Sequence, residues 1–153
     1  METALKTSGQ PVKRGTMAHE HDVYTILADI AAQQGDAAAL RQYAPLAEEL
    51  AARDGHRLYL AIAHRAWGVA RRLAGPSGYV EAEAQLNQAL EVFQQLGTRW
   101  QAGRTLAEMG ELALARSNAG AARDCFSQAL AAFEAMQAVP DAARTRAVLK
   151  SLG

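Results

Sequence analysis

The chain has one cysteine, Cys125, in 153 residues, which excludes an intramolecular disulfide and a multi-thiolate metal site. Aromatic residues make up only 6% of it, so bases or sugars have few rings to stack on. Lysine is nearly absent, with three against thirteen arginines. Charge of either sign does not predominate: sixteen basic side chains balance sixteen acidic ones, which argues against direct nucleic-acid binding or an anionic membrane surface. No apolar run reaches the roughly 18 residues of a membrane span, and the N-terminus lacks a signal-peptide core. A cytoplasmic location without membrane contact is the expectation.

What is abundant is alanine, roughly a quarter of the chain, far above ordinary usage. Alanine is the best helix former and lets helices approach closely, so the fold class expected is all-α. The length suits one domain with a substantial core. Residues 1–16 (METALKTSGQPVKRGT) are polar and aperiodic, and Met17 offers a second start. They are expected to be a disordered leader, linker or expression-tag segment outside the fold.

From Glu20 apolar residues recur at helical spacing almost to the end. Seven helices are predicted, with breaks at Gly35-Asp36, Gly55, residues 74–78 (AGPSG), Gly97, Ser117-Asn118 and Pro140. Pro45 lies inside the second and is expected to kink or split it. No segment shows the two-residue alternation of a half-buried strand.

The helices repeat. Residues 45–70 lie over 87–112 without a gap, pairing Ala47 with Ala89, Gly55 with Gly97 and Gly68 with Gly110. A further shift of 40 pairs Ala89 with Ala129, Phe93 with Phe133 and Arg104-Thr105 with Arg144-Thr145. Backwards, Leu27-Ala28 takes the place of Trp67-Gly68 and Met109-Gly110. Two extra residues in the GPSG turn reconcile spacings of 40 and 42. Such a period marks stacked hairpins: units at about 20–55, 56–97 and 98–138, then a capping helix over 140–152. Gly68 and Gly110 each weaken their helix by about 1 kcal/mol, a tolerable loss where a second helix must cross closely. Ala47, Ala89 and Ala129 serve the same closeness from the other side, and Trp67, Met109, Phe93, Phe126 and Phe133 fill the remaining volume.

The register also explains residues 97–105, GTRWQAGRT, which superficially resemble a phosphate loop. Such a loop needs G-x-x-x-x-G-K-[ST] after a strand, whereas here five residues separate the glycines, arginine replaces lysine and no strand precedes. The segment reads as a repeat seam with Gly97 as the helix stop.

Residues 108–130 (EMGELALARSNAGAARDCFSQAL) resemble a tetratricopeptide repeat: Met109-Gly110 stands at its Leu-Gly pair, Ala122 and Phe126 at its Ala-x3-aromatic step, Ala129-Leu130 at its Ala-Leu pair. Residues 65–90 match likewise through Trp67-Gly68, Tyr79, Ala82, Leu86 and Ala89-Leu90. The units exceed the family's 34-residue period, and Ala28 replaces glycine in the first. The segments Phe93–Gly97 and Ala143–Leu149 are similar to those in C-terminal sensor regions of bacterial signal-transduction ATPases that activate transcription, and of some nucleotide cyclases. The resemblance implies a short right-handed solenoid whose first helices line a concave groove. In that groove it places Arg65, Arg72, Arg104 and Glu111, with Arg144 on the last helix.

Arginine forks suit carboxylates and phosphates, so the groove is expected to clamp an acidic peptide segment or chain end; the opposing reading pairs these arginines with Glu108 and Glu111. Trp100 is a contact candidate that either packs across a repeat junction or edges the groove. His19 to Asp22 (HEHD) lack a metal partner cluster, His64 lacks a nearby nucleophile, and Cys125 reads as an inert thiol. Ser77 in GPSGY reads as a turn. No catalytic constellation, metal site or cofactor is expected. The function implied is a non-enzymatic interaction module, a regulatory or sensor fragment of a larger bacterial signalling or transcription-regulating protein. The alternative is a small-molecule sensing domain, which requires an enclosed pocket lined by Trp67, Trp100 or Tyr59. Exposed ends of so short a stack are expected to permit a homodimer.

Overall fold

The computed structural model describes residues 10–153, with side chains from Asp22 onward. Among the described residues there are seven α-helices and no strand: α1 Gln10–Gln34, α2 Ala37–Asp54, α3 Arg57–Leu73, α4 Tyr79–Leu96, α5 Arg99–Ala115, α6 Ala119–Ala135 and α7 Val139–Ser151. A single 3₁₀ turn, Pro76–Gly78, joins α3 to α4 and contains Ser77. The all-α expectation holds, and so do most helix limits. Helix α1, however, starts at Gln10, well before the apolar period. Of the expected leader, residues 1–9 lie outside the described residues, while 10–16 are helical backbone. The side chains of His19 and His21 also lie outside them.

The turns share one construction. Positive-φ residues fall at Gly35, Gly55, Gly75, Gly97, Ser117 and Gln137, which is every 20 residues except across the lengthened turn after Gly75. At five of the six the chain closes a paired backbone motif. At Gly97, for example, Gly97 N donates to the Gln94 carbonyl and Thr98 N to the Phe93 carbonyl. These bonds satisfy the last carbonyls of a helix, and the left-handed residue turns the chain about. The following residue begins the next helix. Asp36 and Asn118 accept from the amides of Ala39 and Ala121, and the His56 ring accepts from Tyr59. Pro45 does not split α2. It and Arg41 are exposed, so water can hydrate the one carbonyl that loses its amide partner.

Consecutive helices pack as hairpins, and α1, α3 and α5 also touch one another side by side. The core is built from small residues and a few rings: Ala47, Ala89 and Ala129 are fully buried, with Phe93, Phe126 and Phe133 beside or between them. The close crossings expected at the helical glycines are present. A Cβ on Gly68 would lie 2.7 Å from Leu86 Cγ, and one on Gly110 would lie 2.7 Å from the Phe126 ring. The ring edge of Phe126 therefore occupies the place of a methyl group.

Two stability changes follow. Gly110→Ala overpacks the α5–α6 crossing and is expected to destabilise by about 1–3 kcal/mol, despite improved helix propensity. Ser117→Gly relieves a left-handed serine (φ 60°) and is expected to stabilise by about 0.5–1 kcal/mol. Thermal unfolding followed by circular dichroism reads both, at about 2–4 °C per kcal/mol.

Candidate functional site

The side-by-side helices α1, α3 and α5 bring three charged residues together that are far apart in sequence. Asp29 on α1 accepts from Arg65 Nη2 at 3.0 Å, and from Arg104 Nη1 at 2.9 and 2.8 Å through its two carboxylate oxygens. Arg65 also donates through Nη1 to the Gln101 carbonyl (3.1 Å) and to Thr105 Oγ1 (3.3 Å). Rings close the cluster, with Arg65 over Phe93 and Arg104 over Trp100. One helical turn along, Arg72 Nη2 meets Glu108 Oε1 at 3.3 Å.

Burial and attraction compete at each group. Burial alone pushes the Asp29 carboxyl up, but Arg65 and Arg104 together overcome it and hold the group below its ordinary value. Burial and the neighbouring Arg104 charge bring Arg65 down to about 10, which leaves it charged at neutral pH. Glu108 is raised, because its burial outweighs Arg72, Arg65 and Arg104. One carboxylate therefore neutralises two enclosed guanidiniums. The Nε–H of Arg65 is buried without a partner.

Beyond Arg104 a cleft of about 460 Å³ opens between the C-terminal end of α1 and helices α5, α6 and α7. Phe126 and Phe133 reach its lining, with Gln33, Gln34, Glu111 and Arg144 among its polar groups. Four of the six residues singled out by sequence lie in or beside this cleft, in different states. Arg104 is mostly buried and bound to Asp29, and Glu111 and Arg144 line the cleft. Arg144 pairs with Asp141 yet stays 70% exposed. Trp100 takes the junction role: its Nε1 donates to Asp141 Oδ2 at 2.8 Å, tying α5 to α7. The other two do not line the cleft. Arg65, expected on the groove wall, is fully buried, because α1 lies across it with Asp29. Arg72 is held against Glu108, which lines the cleft, but does not itself reach the lining.

Asp29 was the residue missed. The register that put Glu111 in the groove assigns Asp29 the equivalent position in the first unit, 82 residues earlier. Of the remaining reactive side chains, His64 Nδ1 lies 2.8 Å from Gln85 Oε1. The Cys125 thiol is pushed up by burial and by Asp124, the opposite of activation. Among the described residues no three His, Cys, Asp or Glu side chains are grouped to hold a metal ion. No family model matches the chain, and no curated protein matches it significantly.

Removing Asp29 strands two guanidiniums, so Asp29→Ala is expected to destabilise by about 3–5 kcal/mol in urea unfolding. Replacing Asp29, Arg65 and Arg104 together with Leu, Met and Met should recover most of that loss. Because folding lowers the Asp29 carboxyl, its contribution is complete above about pH 4 and disappears as acid protonates the folded group. Glu108 has the opposite sign, so its penalty grows as pH rises past its unfolded value. In Asp29→Asn the acid-side loss of stability should flatten.

Proposed function

We propose that the chain is a non-enzymatic, tetratricopeptide-like interaction module that holds a protein or peptide segment in the α5–α7 cleft. The observation that carries this reading is the cleft's make-up. It is open to solvent and has aromatic edges for apolar side chains, while the Gln33 and Gln34 amides can pair with an extended main chain. The repeated seams and the glycine crossings support the tetratricopeptide-like assignment. A role as a regulatory or sensor fragment of a larger bacterial, cytoplasmic signalling protein rests on the sequence resemblance alone.

We revise the charge expected of the partner. Arg104, Arg72 and Arg144 already face Asp29, Glu108 and Asp141, which weakens the case for a strongly acidic segment. A segment of mixed charge, with a carboxylate set against the exposed fork of Arg144, fits better. The small-molecule alternative has less support. Trp67, Trp100 and Tyr59 bond separately to Glu48, Asp141 and Asp22, and none of the three lines the cleft.

Selection of a random peptide library on the folded chain tests the reading. Selected peptides should lose at least about tenfold in affinity, roughly 1.4 kcal/mol, when Gln34→Ala and Arg144→Ala are combined, with the melting temperature unchanged. Peptides that bind the double variant as tightly would place recognition elsewhere. A library that yields no binder, while small metabolites raise the melting temperature, would favour the sensor alternative.

A further inference from the structure

Helix α1 carries an apolar stripe that no described residue covers. Val23, Ile26 and Ile30 are 47%, 55% and 43% exposed. Their spacing of three and four residues places them on one face, opposite the fully buried Ala28. The repeat register shows what that face does elsewhere. The counterparts of these three residues in α3 are Ala63, Ala66 and Ala70, which pack into the core formed with α1 and α2. In α5 they are Thr105, Glu108 and Leu112, of which Thr105 is fully buried and Leu112 nearly so. The face that joins one hairpin to the next inside the molecule is therefore open on the first helix. It bears larger apolar side chains there, not the polar ones that cap a stack end.

We infer that this stripe is a self-association surface, on which α1 of a second copy docks antiparallel about a two-fold axis. A second copy fits on three counts. The stripe is uncharged and self-complementary, so Ile26 of each copy meets Ile30 of the other. The chain has no net charge, so two copies do not repel at long range. Antiparallel docking also sets the two helix dipoles head to tail. In addition, α1 has 25 residues where α3 and α5 have 17, so it extends two turns beyond its register. A stripe of this size falls below the roughly 800 Å² per partner of tight complexes, so the dimer should form in the micromolar range.

Sedimentation equilibrium of the full chain from about 5 to 300 µM tests this, a span that brackets micromolar dissociation constants. The expected result is a concentration-dependent dimer. Ile26→Glu and Ile30→Lys should each be monomeric throughout with an unchanged helical circular-dichroism spectrum. Mixing the two variants should restore a dimer, because the carboxylate introduced in one chain then faces the ammonium introduced in the other. A wild-type monomer at the highest concentration overturns the inference. So does a dimer that survives both single variants, or a mixture that stays monomeric. The outcome is independent of the cleft reading, since peptide binding to a monomer would be unaffected by these variants.

Discussion

The arrangement depends on a single carboxylate. Asp29 takes up two guanidiniums that belong to the second and third hairpins, so the first hairpin is bonded to both of the others. A stack held only by neighbour-to-neighbour packing has no such long-range tie. The bond across 75 residues fixes how far α1 leans over α3 and α5, and so decides where a concave surface remains. It closes the surface near Arg65 and leaves the cleft beside α7. The same contacts keep the site ordered: Arg104 is held from two sides, by Asp29 and by the Trp100 ring, and Trp100 is anchored on Asp141.

Buried ion clusters are costly to assemble, and apolar replacements are often at least as stable. What this cluster adds is register. Alanine-rich faces offer many nearly equivalent ways to slide one helix along another, because small side chains interlock weakly. A carboxylate that must meet two forks at once permits only one of them. Gly68 and Gly110 act in the same direction, since the Leu86 side chain and the Phe126 ring fit only where a Cβ is absent.

Much of the fold was legible in the sequence because its signals are local and periodic. The glycines at 35, 55 and 97 marked helix ends directly, and Ser117-Asn118 and Pro140 marked two that no glycine announces, although the left-handed residue of the last turn is Gln137. The exceptions have physical reasons. Pro45 sits on the wet side of α2, where losing one amide matters little. The start of α1 was hidden because residues 10–16 are polar, and helical periodicity is read from apolar residues. The site was less legible. Which arginines remain at the surface depends on a carboxylate from another hairpin, and a repeat register lists equivalent positions without saying which of them meet. Arg65 and Arg104 look alike in sequence, yet one is enclosed and the other borders a cleft.

The turns have a consequence for how such a chain can change length. Between most successive helices only two or three residues intervene, and the residue that completes one helix end also opens the next helix. One added residue there would break the paired backbone bonds by which the left-handed residue and the one after it close the preceding helix. The lengthened turn around Pro76–Gly78 absorbs its two extra residues by winding them into a 3₁₀ turn, with Gly78 pressed against the Arg71 carbonyl. Length in this architecture is thus effectively quantised. Whole hairpins can be added or removed by copying a segment of about 40 residues, whereas single-residue insertions are confined to the one connection that can coil them up.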